Sequence, residues 1–205
     1  MRRHKHSITL LPCNSSAHHV AIFSFFHFFI LSLLFSCVED DESPYARRPA
    51  FFRFSPVTAA PKTLLPALGN PGEWCTVTLS PTHYVFTTPN GKKDTYPLTQ
   101  LDQYGQPTWV SGLIVGTPVV PEMGASEFAP VAFDLACPSC FEEGGITRAV
   151  AITSTTLGRA QCSRCSRTYD LHNGGIVCDG ARTAHDPRLY RYRCSYSNDA
   201  FVVHN

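Results

Sequence analysis

Two short cysteine pairs constrain this chain more than any other feature. Cys137-Pro138-Ser139-Cys140 is followed, after twenty-one residues, by Cys162-Ser163-Arg164-Cys165. A C-x-x-C turn curls two thiolates toward one point. Two such turns brought together by flanking strands make a tetrahedral cage of four sulfurs, the donor set of structural zinc or of an iron centre. The separation exceeds the usual ribbon spacing of roughly 15–20 residues by one, which a hairpin loop absorbs. The expected ligands are therefore Cys137, Cys140, Cys162 and Cys165, holding one metal centre: zinc, or an iron–sulfur or single-iron centre. The competing arrangements are two disulfides, or four reduced thiols in a core.

The start of the chain reads as an address rather than as structure. Arg2, Arg3 and Lys5 form a cationic head, and the run from Ala21 to Phe35 is almost wholly apolar. It ends in Leu34-Phe35-Ser36-Cys37, the pattern of a secretory signal. The cysteine after that serine resembles a bacterial lipobox, which implies a signal peptide over residues 1–36 and lipidation of Cys37. The alternative is an uncleaved anchor, although about fifteen apolar residues are short for a full span. Val38-Glu39-Asp40-Asp41-Glu42-Ser43 resembles the acidic surface-export tether of lipoproteins of the Bacteroides group, and also reads as a solvated, self-repelling linker. The expected location is the bacterial cell envelope, lipid-anchored to the outer membrane and facing its surface.

Residues 37–72 read as this tether followed by a Pro-rich linker whose later part packs onto the domain, with Phe51, Phe52 and Phe54 clustered in it, and the domain is expected over 73–205. Sixteen prolines and thirteen glycines, with many Thr, Val, Tyr and Phe, favour strands joined by tight turns. Extended runs are expected at Trp74–Leu79, His83–Thr88, Thr95–Leu101, Trp109–Val120, Phe128–Leu135, Thr147–Thr155, Arg159–Gln161 and Tyr169–Leu171. Leu189–Tyr196 and Phe201–Val203 close the domain as a hairpin. Pro89-Asn90-Gly91-Lys92 and Asn173-Gly174-Gly175 supply turns with positive φ. No helix is expected, and the fold class is all-β with layered antiparallel sheets.

Around the cysteines a family resemblance emerges. Cys162-Ser163-Arg164-Cys165-Ser166-Arg167-Thr168-Tyr169-Asp170, followed by Asn173-Gly174-Gly175, resembles the second cluster loop of Rieske iron–sulfur domains. Val131-Ala132-Phe133-Asp134-Leu135-Ala136-Cys137-Pro138 is similar to the strand feeding the first. The region from Trp74 to Val203 resembles Rieske-like lipoproteins of Bacteroides-type bacteria. The resemblance implies two metal-binding loops on layered β-sheets, a 2Fe–2S centre and electron transfer. The departure is in the ligands. Rieske centres use two histidines, whereas Cys165 and Ser139 stand at the histidine positions here and His172 is the nearest histidine. The centre is then an all-cysteine cluster, a single iron, or zinc.

Export bears on that choice. His4-Lys5-His6 follow Arg2-Arg3 where a twin-arginine signal has an apolar aromatic residue, so a chain threaded unfolded that gains zinc afterward fits the leader. The family resemblance favours a cluster. Zinc with four thiolates would be structural, fastening two loops with little apolar mass of their own, while iron would make an electron carrier. Either reading gives a carrier or a binding module rather than a catalyst, with a redox or assembly protein as partner.

Other features add little chemistry. Removing the three basic leader residues leaves 14 basic against 16 acidic residues, so the mature chain is near −2. That excludes the basic footprint of a nucleic-acid binder. His83, His172, His185 and His204 are scattered, no hydrolytic spacing occurs, and no small-molecule substrate is indicated. Arg164 and Arg167 read as solvated loop residues, or as groups that dock an acidic partner or tune the sulfur charge. Asp134 and Asp170 are placed to bond backbone in the two cysteine turns. Cys75, Cys178 and Cys194 are buried thiols, or Cys178 pairs with Cys194.

Overall fold

The computed structural model describes residues 43, 45–58, 62–121, 127–183 and 186–205. The expected leader, Cys37 and the acidic cluster as far as Glu42 lie outside these residues. Among the described residues no helix is long and apolar enough to cross a membrane.

Along the chain come β1 (Phe51–Phe54), helix α1 (Leu64–Gly69), β2 (Trp74–Leu79), β3 (His83–Thr87) and β4 (Lys93–Pro97). Helix α2 (Gln100–Tyr104), β5 (Leu113–Gly116), β6 (Val131–Asp134) and helix α3 (Pro138–Gly144) follow. Then come β7 (Ala151–Ile152), β8 (Arg159–Gln161), β9 (Thr168–Asp170), a 3-10 turn (Leu171–Asn173), β10 (Ile176–Asp179), β11 (Arg191–Ser197) and β12 (Ala200–His204). Eight strands form one sheet in the order β1-β12-β11-β6-β5-β2-β3-β4, and four form a second, β10-β9-β8-β7. Every pairing between these strands is antiparallel. The fold is all-β, as the turn-rich, β-branched sequence implies.

The two middle strands explain the layering. β5 (Leu-Ile-Val-Gly) and β6 (Val-Ala-Phe-Asp) are buried at every position, because both faces of the large sheet are covered there. Successive strand residues point to opposite faces. Leu113 and Val115 therefore join Cys75, Val77 and Phe86 in one core, while Ile114 joins Trp74 and Phe133 in another. Trp74 pairs with Gly116 across the sheet. The indole lies where any Cβ at 116 would be, so only glycine fits.

The large sheet also curls. Phe52 of β1 meets Tyr84 of β3 edge-on at 5.5 Å. Phe54 meets Phe86 at 5.2 Å and Tyr96 of β4 at 5.0 Å. Strands at opposite ends of the order thus share one aromatic core. Such ring pairs add to plain area burial.

β6 and β11 are neighbours in the large sheet, with Phe133 opposite Arg191 and Ala132 opposite Tyr192. Everything between them in sequence, α3 and β7 to β10, is an insertion packed on the second core. Both cysteine turns lie in this insertion.

Three expectations need correction. The stretch expected as linker supplies β1, paired with β12 from Phe51↔His204 to Phe54↔Phe201. It also supplies α1, whose Leu64, Ala67 and Leu68 are buried. The reason is non-local, since the partner strand of Phe-Phe-Arg-Phe comes at the far end of the chain. The expectation of no helix fails at three short helices. In α2, Thr99 and Asp102 form a reciprocal capping box that stops the extended run expected over Thr95–Leu101. In α3, proline occupies the first turn, where its missing N–H costs nothing. Finally, β10 is a strand in a stretch, after the Asn173-Gly174-Gly175 turn, for which no element was expected.

Phe52→Ala should lower unfolding stability by about 3–5 kcal/mol, because its ring is only 1% exposed. Arg53→Ala, on the exposed face of the same strand, should change it by less than about 0.5 kcal/mol. Urea denaturation midpoints measure the contrast, and equal small effects would return β1 to the status of a linker.

Candidate metal centre

The first cysteine turn is set by the end of β6. Asp134 is fully buried, and its carboxylate accepts from Val110 N (2.7 Å), Ser111 N (3.1 Å), Ala136 N (2.8 Å) and the Tyr192 hydroxyl (3.0 Å). Burial pushes this carboxyl above the usual range, and these four donors pull against it. The chain then pairs briefly with the approach to β7: Cys137 N donates to Arg148 O (2.7 Å), and Val150 N donates to Leu135 O (2.8 Å). Cys137 caps α3, and Cys140 sits in its first turn. Gly145 ends the helix at φ 65°, a left-handed cap that glycine adopts freely.

The second turn follows β8. Cys162 N donates to Arg167 O, and Ser166 N donates to Cys162 O, both at 3.0 Å. Ser166 adopts φ 62°, which turns the chain out of the loop and into β9. On β9, Asp170 accepts from His172 N at 3.0 Å and pairs with Arg159 at 3.0 Å. Asp134 bonds backbone just ahead of the first cysteine turn, whereas Asp170 bonds His172 N in the 3-10 turn rather than in the second cysteine turn.

The two turns bring the four expected cysteines together. The sulfurs of Cys137, Cys140, Cys162 and Cys165 all lie within 4.8 Å of one another. Two pairs link the loops: Cys137 to Cys165 at 3.6 Å and Cys140 to Cys162 at 3.7 Å. A zinc–sulfur bond of about 2.3 Å gives a tetrahedral edge of about 3.8 Å. The four thiols therefore fit one ion. The disulfide alternative does not match, since bonded sulfurs lie about 2.05 Å apart.

The cage is mostly interior. Cys137, Cys140 and Cys162 are buried, and Cys165 is half-buried. Tyr169 is also buried, with its hydroxyl 3.2 Å from both Cys137 Sγ and Ser139 Oγ. Burial pushes the Cys137 and Cys140 thiols up. Cys165 differs. Burial raises it, but the backbone N–H and guanidinium of Arg167 outweigh that and lower it to about 7.

Arg167 is not a solvated loop residue. It is 2% exposed and ion-paired with Asp186 at 3.1 Å and with Glu143 at 3.0 Å. It holds the Asp186 carboxyl well below the usual carboxylate range. Arg164 is exposed, as expected.

No protein-family model matches the chain, and no curated protein matches its sequence. The chemistry of the centre therefore rests on its own geometry.

The other candidates stand apart from the cage. His172 Nδ1 accepts from Val119 N at 3.2 Å, and its ring packs on Trp74 at 5.5 Å. Among the described residues the metal-capable group contains cysteines only. His83 and His204 lie on β3 and β12, away from it, and His185 lies outside the described residues. Cys178, on β10, donates to Thr168 O at 3.3 Å, while Cys194, on β11, donates to Pro130 O at 3.1 Å. Their sulfurs turn to carbonyls in different sheets rather than to each other. Cys75 is buried between sheet faces, and burial pushes its thiol up to about 12. Sequence reading did not find the roles of Ser139, Glu143, Tyr169 and Asp186. Only Tyr169 had a local signal, lying in the Tyr-Asp pair after the second turn.

In the metal-free reduced chain, Cys165 should be the first of the four to react with iodoacetamide. A lowered thiol is ionised above its folded value, so its rate should rise as pH passes through about 7. By linkage, its contribution to stability is full above the unfolded thiol range and is lost as pH falls through about 7. Peptide mapping by mass spectrometry reads the order, and preferential labelling of Cys137 or Cys140 would contradict it.

Proposed function

We propose that this chain is a β-module built around a single thiophilic divalent ion, zinc, held by Cys137, Cys140, Cys162 and Cys165 and acting as a structural clasp. The observation that carries this reading is the sulfur spacing. Inter-loop pairs at 3.6 and 3.7 Å, with all four sulfurs within 4.8 Å, suit the corners of one tetrahedron. A two-iron cluster places its cysteine pairs on separate irons with bridging sulfides between them, which needs a longer cage. Zinc with four thiolates has no open position, so when bound it would hold the two turns together rather than activate a substrate.

The chain's own residues support a fastening role. α3 and β7 to β10 share a modest core in which Cys137, Cys140 and Cys162 occupy central places beside Tyr169 and Leu171. Thiols are poor core formers when crowded. A bound ion converts that crowding into cross-linking of residues 137–140 to 162–165, and its binding free energy becomes folding free energy.

The layout also supports a Rieske-like origin for the module. Two loops, each entered from a strand, sit on a small sheet inserted between neighbouring strands of a larger one. In the fuller form of the proposal, Cys37 carries a lipid and the module works at the envelope surface with a protein partner. A second reading is a single redox iron in the same cage. It draws on the Tyr169 hydroxyl beside Cys137 Sγ, which would favour the more negative, reduced state, and on the half-buried edge at Cys165.

Metal analysis with an absorption spectrum of the purified reduced protein separates these readings. One zinc per chain and no visible colour is the expected result, with Cys162→Ser losing the ion. One iron with a red colour would select the carrier, and two irons with labile sulfide would select the cluster. A metal-free protein with oxidised cage cysteines would remove the proposal.

A further inference from the structure

Arg167 is a buried cation with one side of its guanidinium unaccounted for. Nε and Nη2 form a fork to Asp186 Oδ2 and Oδ1 at 3.1 and 3.4 Å, and Nη2 also donates to Glu143 Oε1 at 3.0 Å. Nη1 is buried and has no hydrogen-bond partner among the described residues. Burying a guanidinium is costly unless its surroundings compensate. Glu143 is 55% exposed, so a pair with it alone would form as well at the surface, without drawing Arg167 inside. Asp186, 5% exposed, compensates one edge of the guanidinium and leaves Nη1 unpartnered on the other.

The second cysteine turn adjoins this guanidinium through the backbone of Arg167 itself. Arg167 follows Cys165 by two residues, and its carbonyl closes the turn on Cys162 N at 3.0 Å. The Asp186 fork lies on the Nε edge of the guanidinium, opposite Nη1. Four thiolates around a divalent ion leave a net charge of about −2. A fixed, buried guanidinium on the residue that closes this turn offsets part of it. Arg164, exposed on the same turn, does not share this placement.

We infer that Arg167 is the built-in counter-charge of the tetrathiolate cage, a positioning residue that sets how tightly a thiophilic divalent ion is held. The inference rests on the metal-binding reading above. It adds that affinity depends on a residue that is not a ligand, and that Asp186 and Glu143 serve to aim it. The part of the chain around residue 186 is thereby tied to the state of the cage.

The test uses the full reduced chain, stripped of metal and titrated with Co²⁺ against a competing chelator. Three proteins are compared: wild type, Arg167→Gln (donors without charge) and Arg167→Lys (charge without the fork). Losing an outer partner of a metal ligand costs typically about 10–100-fold in affinity. Arg167→Gln should show a loss in that range, with the sulfur-to-cobalt charge-transfer band at lower energy. Arg167→Lys should stay within a factor of about three of wild type, clearly below that range, with the band unmoved. Should Arg167→Gln fail to fold by circular dichroism, Arg167→Met takes its place in the same comparison.

Wild-type affinity in the uncharged variant would overturn the inference. So would equal losses in the Lys and Gln variants with unshifted bands, because Arg167 would then serve only to clamp the loop. Failure of the wild-type chain to bind Co²⁺ would instead overturn the metal site itself, which keeps the two failures distinct.

Discussion

Four sulfurs gathered within 4.8 Å are an unstable arrangement unless something absorbs their protons or their charge. As thiols they pack poorly around one another, and as thiolates they repel. Much of the insertion between β6 and β11 can be understood as a response to that constraint. Asp134 fixes the approach to the first turn with four donors, so that Cys137 and Cys140 are delivered from a rigid strand end. The second turn is closed by its own backbone and by Arg167. Tyr169 reaches between the turns to Cys137 and Ser139. A divalent ion at the centre would complete the set, because it would bond all four sulfurs at once and offset half the charge of four thiolates.

The large sheet plays a different part. Its curled aromatic core, with Phe52 and Phe54 against Tyr84, Phe86 and Tyr96, is independent of the cysteines. The strands it offers to the insertion, β5 and β6, are buried on both faces. This division gives the insertion a stiff floor. The small sheet adds only short strands of its own, β7 having two residues and β8 and β9 three each. Short strands supply few backbone bonds, so a cross-link between 137–140 and 162–165 would matter most there.

The four-cysteine group was legible in the sequence because C-x-x-C encodes its geometry locally. The all-β class was legible for the same reason, through β-branched runs and glycine turns. What escaped was non-local. Phe51–Phe54 looked like linker because its partner β12 lies at the opposite end of the chain. Arg167 looked like Arg164, both being arginines in one loop, and only the folded chain separates them by bringing in Asp186 from nineteen residues on. The short helices were hidden for a further reason: each is five to seven residues long, too short to show a period. Their signals are single residues, Thr99 with Asp102 and the proline after Cys137.

The account depends on one ion with four sulfur neighbours, and X-ray absorption at the metal edge of the purified protein tests this most directly. A first shell of four sulfurs at about 2.3 Å, with no metal–metal scattering beyond it, is the predicted result. A second metal in the outer shell, or nitrogen and oxygen replacing sulfur in the first, would contradict it.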